Sequence, residues 1–399
     1  MTRTLRLSAL ALVALLGACK KETPPAPAAS GTQQAEATKP QPPAAKTHKV
    51  GLVVDVGGRG DHSFNDAALR GLETFAAGVR YEGGKYAPAS ADEIKQAITP
   101  DLASQQITAQ PIEPLVIQSK SPEDYEPNLQ LLVEQGAELT IGNGFLLENA
   151  VESVAKKNAS NKFLLVDSVL LDEKGTPYSL PNVRTVTFKE NEGSFLVGAL
   201  AGLASKTGKV GFVGGMEVPI IKRFEAGFRA GVKMTNPKAA EGLMSVYTGS
   251  FDNVAAGKQV AQDLLKKGAD VIFQAAGADG LGVIQAVKEA KASGQNVFVI
   301  GVDSDQSHVA PEVVLSSMLK HVDLAIYNAC HDLAQGKFTA DNQVLGLKDG
   351  GVGYAEVHVD FPGKADALQK VEALRKRIVS GELKVPATME ELSAFQATP

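Results

Sequence analysis

The sequence predicts an α/β fold of two similar lobes, each built on a doubly wound parallel β-sheet. Six short, near-continuous aliphatic runs predict strands that are buried on both faces, as strands of parallel sheets are; they are residues 50–54, 139–142, 163–166, 210–213, 271–273 and 297–302. Amphipathic stretches separate these runs, and such alternation favours parallel strands joined by right-handed helical crossovers. Three of the strands precede residue 190 and three follow it, which indicates two lobes.

Apolar residues at three- and four-residue spacing predict helices between the strands, as in the series Ala68, Leu69, Leu72, Phe75 and Val79. Residues 81–110 interrupt this pattern with Gly, Pro and polar residues, and we expect an insertion or a long loop there. The runs 313–318 and 352–358 are further strand candidates that would return the chain between lobes. We therefore expect two lobes within residues 47–395, one of about residues 47–187 with 311–345, the other of about 188–310 with 346–395.

Length, charge and cysteine content exclude several classes of protein. The 399 residues are enough for large hydrophobic cores, so neither disulfides nor metals are needed for stability, and there are only two cysteines. The formal net charge of −5, from 40 basic and 45 acidic residues, lacks the basic surface of most nucleic-acid binders. Only the first 18 residues approach a membrane-spanning pattern, which excludes a polytopic transporter.

The N-terminal residues 1–18 are interpreted as a lipoprotein signal peptide. Arg3 and Arg6 precede an apolar run that is too short to span a bilayer comfortably, and residues 16–19 resemble a lipobox whose cysteine, Cys19, is lipidated. An ordinary signal peptide with an unrelated cysteine is the alternative. Residues 20–46 contain six prolines and no large aliphatic residue, which predicts a disordered tether. The protein is therefore expected in the cell envelope, anchored to a membrane by lipid, with either membrane possible.

The predicted strands are followed by a common sequence pattern, in which Gly occurs together with Asp, Asn or Ser. Asp55 follows the first strand, Asp167 the third and Asp303 the sixth, while Gly-rich turns follow the second, fourth and fifth. A single Asp at such a position usually caps a helix. Because this pattern occurs at six strand ends, and ligands bind beyond the carboxyl ends of parallel strands, it predicts a binding cleft.

No catalytic or metal-binding motif is present in the sequence. The run at residues 58–63 matches the dinucleotide pattern GxGxxG only in part, because Asp61, His62 and Ser63 place bulk and charge where pyrophosphate needs close approach. GxxxxGK[ST], GxSxG, HExxH and CxxC are all missing. The sequence therefore predicts a protein that is not an enzyme and that needs neither metal nor cofactor.

Several blocks of the sequence resemble the basic membrane protein family, the purine nucleoside receptor A-like lipoproteins that serve as substrate-binding subunits of bacterial ABC importers. The blocks are GLVVDVGGRGDHSFNDAALRGL, FKENEGSFLVGALAGLAS, KVGFVGGMEVPIIKRFEAGFRAGVK, DVIFQAAGADGLGVIQAVKEA, VFVIGVDSDQ and SSMLKHVD, in family order over roughly residues 49–360. The resemblance implies a type I periplasmic-binding-protein fold, with two lobes joined by a three-stranded hinge. The segment 81–110 seems longer than is usual in the family.

The resemblance also implies a set of ligand-binding residues. Two phenylalanines, one from each lobe, would sandwich a purine base, and Phe64 and Phe251 match them. Contacts to the base edge map onto Asn65 and Asp167, with Asp55 nearby, and contacts to the ribose map onto Gly277, Asp303 and Lys320. We expect Lys320 also to neutralise Asp303, while Phe145 and Met216 fit the apolar wall of the pocket and the core equally well. Taken alone, Phe64 and Phe251 could be core residues, but each follows a serine in a loop that suits a helix start.

The resulting hypothesis is a monomeric receptor that captures a purine nucleoside (guanosine, inosine or adenosine) between its lobes and delivers it to the permease and ATPase subunits of an importer. Three alternatives remain open at this point. One is a sensory receptor with the same cleft, and another is a receptor for a different small ligand. The third is a nucleoside hydrolase, for which the DVGGRGD run could supply metal-binding aspartates.

Overall fold

Two six-stranded sheets form the framework of the structure, a computed structural model that describes residues 46–397. The predicted signal peptide, Cys19 and the tether up to residue 45 lie outside the described residues. The strands are β1 (His48–Val54), β2 (Val79–Glu82), β3 (Lys85–Pro88), β4 (Ile112–Gln118), β5 (Leu139–Asn143), β6 (Lys162–Val166), β7 (Leu170–Leu171), β8 (Pro177–Tyr178), β9 (Val183–Phe188), β10 (Val210–Gly214), β11 (Met244–Tyr247), β12 (Val271–Ala275), β13 (Phe298–Asp303), β14 (Val314–Lys320), β15 (Asn342–Leu345) and β16 (Val352–Tyr354).

Twelve α-helices accompany these strands within residues 46–397. They are α1 (Phe64–Leu69), α2 (Ala91–Ala97), α3 (Tyr125–Glu134), α4 (Glu148–Lys157), α5 (Glu190–Ala204), α6 (Pro219–Thr235), α7 (Pro237–Glu241), α8 (Val254–Lys266), α9 (Asp279–Ala292), α10 (Val322–Ala334), α11 (Lys364–Val379) and α12 (Met389–Ala394). A π-helical turn, Arg70–Ala76, extends α1, and short 3₁₀ turns lie at Pro100–Leu102, Pro122–Asp124 and Phe145–Leu147. Among the described residues, no helix combines the length and the apolar character that a membrane crossing needs.

The two sheets have the same strand order around their centres. The first is β15-β9-β6-β5-β1-β4 and the second is β11-β10-β12-β13-β14-β16. Every pair is parallel except β14 with β16, which is antiparallel. In each sheet the first strand of the lobe, β1 or β10, lies between the second and third strands in sequence. This is the doubly wound order with a topological switch point, beside which open α/β sheets bind their ligands. The predicted α/β architecture is confirmed.

The chain crosses between the lobes three times, between β9 and α5, between β14 and α10, and between β15 and β16. The second crossing lies later in the chain than the predicted boundary at residue 311. We expected residues 311–345 to belong wholly to the first lobe. Instead, β14 pairs with β13 in the second sheet, so the chain returns to the first lobe only after Lys320. Strand β14 is buried and mostly apolar, a pattern that suits a central strand of either sheet. The sequence therefore could not show to which lobe the strand belongs.

The segment 81–110 is ordered rather than a plain loop. It contains most of the β2–β3 hairpin, helix α2 with a capping box at Ser90, and the 3₁₀ turn Pro100–Leu102. The helix predicted to run as far as Val79 ends sooner, because Gly78 takes a left-handed φ of 64° and Val79 begins β2. Strand 352–358 is also shorter than predicted, since β16 ends at Tyr354.

Helices α5 and α6 pack closely together in the second lobe. Phe195, Leu196, Ala199 and Leu200 of α5 are all completely buried. The close approach depends on glycine, because a Cβ on Gly231 of α6 would overlap the carbonyl oxygen of Phe195. This contact holds α5, which begins at the first crossing, firmly against the second lobe.

Candidate ligand-binding site

A cavity lies between the two lobes, at the carboxyl ends of both sheets. About 570 Å³ of space lies within its walls, including the opening to solvent. The eight residues that the sequence predicts as ligand contacts all line it: Asp55, Phe64, Asn65, Asp167, Phe251, Gly277, Asp303 and Lys320. Phe145 also lines the cavity as expected, whereas Met216 does not belong to its wall.

The loop after β1 places Phe64 and Asn65 at the cavity. The carboxylate of Asp61 accepts hydrogen bonds from the backbone N–H groups of Ser63 (2.9 Å) and Asn65 (2.8 Å), which shapes the start of α1. Asp55 Oδ1 then accepts from the Asn65 side-chain amide at 2.7 Å and from the N–H of Gly57 at 2.9 Å. Burial raises the pKa of the Asp55 carboxyl above its ordinary value, although these bonds oppose the rise. Asp55 and Asn65 are thereby held as one rigid polar unit.

Asp167 and Asp303 occupy equivalent places in the two lobes. Each lies at the carboxyl end of the fourth strand of its lobe, β6 or β13, and each adopts a left-handed backbone, with φ of 67° and 63°. Within residues 46–397 only three non-glycine residues have positive φ, and the third, His62, lies in the loop before Phe64. Such backbone strain costs on the order of 1–3 kcal/mol per residue and is concentrated at functional sites. The strained backbone at Asp167 and Asp303 therefore indicates a functional site at the cavity, and this indication does not depend on the chemistry of the side chains.

Lys320 is the cation of the cavity wall, and it is only 3% exposed. We expected it to neutralise Asp303, but its ammonium bonds to Asp167 Oδ2 at 2.5 Å instead. Asp303 Oδ2 accepts a hydrogen bond from the Ser63 hydroxyl, with 2.6 Å between the two oxygens. Burial lowers the pKa of Lys320, but Asp167, Asp303 and Glu190 together raise it above its ordinary value. Asp167 Oδ1 is buried and has no hydrogen-bond partner among the described residues, so an acceptor is available to a ligand.

Aromatic rings from both lobes form the apolar part of the wall. Phe64 and Phe145 come from the first lobe, and Phe224 and Phe251 come from the second. The ring of Phe145 lies edge-on to that of Phe251, with 6.2 Å between the centroids. Lys320 Nζ is 4.9 Å from the centre of the Phe64 ring, a distance at which a cation and a ring attract each other.

Hydrogen bonds join the lobes around the cavity, so the structure is in a closed state. Besides the bond from Ser63 to Asp303, the Ser304 hydroxyl donates to the carbonyl of Ser63 at 3.2 Å. The Gln306 amide donates to the carbonyl of His62 at 3.1 Å, and His62 Nδ1 lies 3.1 Å from His308 Nε2. These bonds link one loop of the first lobe, residues 57–66, to residues 302–308 of the second.

Sequence reasoning did not identify several residues of the cavity as site residues. Asp61 was considered only for a dinucleotide motif and for the metal-binding aspartates of a hydrolase, although it follows β1 as Asp55 does and lines the cavity. Ile220, Ile221 and Phe224 lie in the first two turns of α6, which follows β10. The position of that helix start after a strand end was the available signal. Within residues 46–397, no three or more His, Cys, Asp or Glu side chains are grouped so that they could hold a metal ion.

Comparison with known proteins connects this geometry to a family. Residues 48–389 match the family described as ABC transporter substrate-binding protein PnrA-like (Bmp). The chain is 36% identical over 353 residues to the "CD4+ T-cell-stimulating antigen" of Listeria monocytogenes, covering 86% of this chain and 88% of that protein. It is 32% identical to the "ABC transporter nucleoside-binding protein BmpA" of Lactococcus lactis over 400 residues, covering 96% and 99%.

A solved structure supports the same assignment. The fold is similar to that of an ABC transporter solute-binding protein from Aeropyrum pernix K1, with a TM-score of 0.68 and 28% identity, covering 87% of this chain and 96% of that chain. The resemblance noted in the sequence is thus confirmed, as is the type I periplasmic-binding-protein architecture, and the family explains why no reaction is evident. The chain belongs to the PnrA-like family of ABC transporter substrate-binding proteins, which are not enzymes.

Proposed function

We propose that the protein captures a purine nucleoside in the cavity between its lobes and delivers it to the permease of an ABC importer. The observation that carries the proposal is the presence of Phe64 from one lobe and Phe251 from the other in the wall of a single closed cavity. A flat heterocycle offers a face to each ring, and stacking contributes about 1–3 kcal/mol per base. Closure of the lobes on such a ligand would add the second ring and exclude water.

The polar groups favour a ligand that is rich in donors and carries no negative charge. Asp55, Asp61, Asp167 and Asp303 line the cavity, and the Lys320 ammonium is already engaged by Asp167. A phosphate would face four carboxylates without a free cation, so nucleotides should be excluded. Ribose hydroxyls and the N–H groups of a purine edge match these acceptors. The unpartnered Oδ1 of Asp167 suits a guanine or hypoxanthine N1–H in particular.

Calorimetric titration tests this proposal. We expect guanosine, inosine or adenosine to bind in the micromolar range or tighter, and GMP to bind at least a hundredfold more weakly. Phe64→Ala and Phe251→Ala should each weaken binding at least tenfold. Phe395→Ala is the matched control, because that ring packs against Phe195 outside the cavity. Wild-type affinity in both cavity variants would disprove the sandwich, and binding of an unrelated small solute instead of any nucleoside would disprove the ligand class.

Delivery to a permease is the second part of the proposal. The family and the nucleoside-binding relative from Lactococcus lactis support it. Uptake of radiolabelled guanosine should fall in a strain that lacks the gene and should be restored by the wild-type protein but not by Phe64→Ala. Unchanged uptake in the deletion strain would indicate a sensory receptor that uses the same cleft.

Anchoring through a lipidated Cys19 is the third part, and the N-terminal sequence motif supports it. We propose that the mature protein begins at this cysteine and works as a monomer held at a membrane of the cell envelope. Cells fed with labelled palmitate should label the wild-type protein and the Cys330→Ala control, but not Cys19→Ala, which should leave the membrane fraction. Equal labelling of the Cys19→Ala protein would contradict the lipobox interpretation.

A further inference from the structure

Glu190 lies directly behind the lysine of the cavity, although it is not part of the cavity wall. It is the first residue of α5, at the point where the chain passes from the first lobe to the second, and its side chain is completely buried. Completely buried carboxylates are rare unless they are paired, because burial removes their hydration. The position of Glu190 therefore requires an explanation.

The two carboxylate oxygens of Glu190 have different surroundings. Oε2 accepts a hydrogen bond from the Arg223 guanidinium at 2.8 Å, and Arg223 also donates to the carbonyl of Phe188 at 3.2 Å. Oε1 is 3.8 Å from Lys320 Nζ, which is too long for a hydrogen bond. Among the described residues, Oε1 has no hydrogen-bond partner at all. A small movement of the Lys320 side chain would complete a bond to it.

The three charged residues around the Lys320 ammonium differ in how closure affects them. Asp167 belongs to the first lobe, so its bond to Lys320 joins the two lobes. Glu190 and Asp303 belong to the same lobe as Lys320, and α5 packs against β14, so both stay near Lys320 when the lobes separate. The remaining neighbours of the ammonium are the rings of Phe64, Phe188 and Phe224, within 5.4 Å.

We propose that Glu190 is a positioning residue that keeps the Lys320 ammonium charged and near the base of the cleft while the lobes are apart, and that Asp167 takes over as its hydrogen-bond partner on closure. This inference rests on the proposed function, because it treats Lys320 as a donor to the captured ligand. In the open state Asp303 is held less closely to the lysine than Glu190, since no ion pair joins Asp303 to Lys320 even in the closed state. Arg223, whose guanidinium stays protonated in proteins, donates a charge-assisted hydrogen bond to Glu190 and thereby favours its ionised form.

The pKa shifts are consistent with this arrangement. Burial lowers the pKa of the Lys320 ammonium, and the three carboxylates more than reverse that effect. Burial raises the pKa of the Glu190 carboxyl, and Lys320 and Arg223 both oppose that rise. The carboxylates thus favour the charged form of Lys320, and Lys320 and Arg223 hold the pKa of Glu190 below the value that burial alone would give.

Lysine NMR on the ligand-free protein is the direct test. Protein labelled with ¹³C-lysine is titrated from pH 7 to 12, and the Cε signal of Lys320 is assigned from its loss in Lys320→Arg. We expect Glu190→Gln to lower the Lys320 midpoint by at least one pH unit. The matched control is Glu225→Gln, which removes another buried carboxylate that pairs with an arginine, Arg229 at 2.7 Å, away from the cavity. A Lys320 midpoint that is the same in Glu190→Gln as in the wild type would overturn the proposal.

Guanosine binding at pH 7 and pH 9 supplies a second arm. We expect Glu190→Gln to weaken binding about tenfold at pH 7 and further at pH 9, while Glu225→Gln has the wild-type profile. Glu190→Asp retains the charge on a shorter side chain, so its Lys320 midpoint and its loss of affinity at both pH values should lie between those of the wild type and Glu190→Gln. Should the glutamine variant not fold, a wild-type midpoint in Glu190→Asp opposes the proposal. If the wild type binds no nucleoside, the proposed function fails, but the NMR titration still decides the role of Glu190.

Discussion

The ammonium of Lys320 and the carboxylate of Asp167 meet across the cleft at 2.5 Å, although each comes from a different lobe. Both side chains are almost completely buried, so the pair has lost its hydration. Breaking a buried pair by removing one partner costs more than the pair contributes, because an unpaired charge remains in the interior. Loss of the charge on either residue should therefore also affect closure of the cleft.

Asp167→Asn should shift the protein toward an open form and weaken guanosine binding by at least tenfold, because the amide leaves the buried ammonium without its hydrogen-bonded counterion. Titration calorimetry measures the affinity, and the small-angle X-ray scattering radius of the liganded protein measures closure. Asp263→Asn removes an exposed ion pair with Lys266 on α8 and should change neither. Unaltered affinity in Asp167→Asn would argue against a role of the pair in binding.

Ser63→Ala should weaken ligand binding by about tenfold without loss of stability. Its hydroxyl donates to Asp303 at 2.6 Å across the cleft, and hydrogen bonds to charged groups contribute about 1.5–3 kcal/mol. Because that bond joins the two lobes, its loss should weaken their closed arrangement. Ser153→Ala, which removes a bond to Glu126 within the first lobe, is the control for calorimetry and thermal melting. Equal affinities of the two variants would contradict the prediction.

Gly215→Ala should abolish high-affinity binding while the protein remains folded. A Cβ at this position would overlap the Phe251 ring and the carbonyl oxygen of Ser250, so the ring and the loop that carries it must leave their place in the cavity wall. Gly242→Ala adds the same methyl group at a position with no atoms within 4 Å and should bind normally. Affinity by calorimetry and the fold by circular dichroism separate the two effects. Tight binding by Gly215→Ala would show that Phe251 need not occupy its observed position.

Stability should decrease as the pH rises from about 6.5 to 9, because of His321. Burial lowers the pKa of its imidazole, but bonds to Asp101 and Asp323 raise it to about 9 in the folded state, against 6.5 for the free group. A raised pKa means that protonation stabilises the folded state, fully below pH 6.5 and no longer above pH 9, by about 3 kcal/mol. Urea unfolding at pH 6 and pH 9.5 measures the change.

The control for this pH dependence is a pair of histidine variants. His321→Gln should flatten the loss of unfolding free energy between the two pH values, whereas His358→Gln, at an exposed histidine, should follow the wild type. A wild-type slope in His321→Gln would assign the pH dependence to other groups.

Much of the fold was predictable because the central strands are fully buried and aliphatic. The strands that were missed depart from that pattern for identifiable reasons. Strand β4 is an edge strand, half-buried, with Glu113 and Pro114 in its sequence. Strand β9 contains Arg184, which reads as a surface residue but is buried because Asp332 and Asp341 pair with it. Neither the edge position nor the distant partners can be recognised in a local pattern.

The residues of the site also fall into those that the sequence could predict and those that it could not. Residues directly after strands, such as Asp55 and Asp303, were predictable because the carboxyl ends of parallel strands converge. Phe224 was not, since an aromatic residue on an amphipathic helix is normally core. The pairing of Lys320 with Asp167 instead of Asp303 depends on how the lobes close, which joins residues 153 positions apart. No spacing in the sequence encodes that contact.

The three crossings of the chain between lobes also restrict how this protein can evolve. Neither lobe is a continuous stretch of polypeptide, because α10 and β15 of the first lobe follow strands β10 to β14 of the second, and β16 then completes the second sheet. A single recombination event therefore cannot exchange one intact lobe for that of a relative. New ligand preferences must arise instead by point substitutions in the loops that follow the strands, with the scaffold inherited whole.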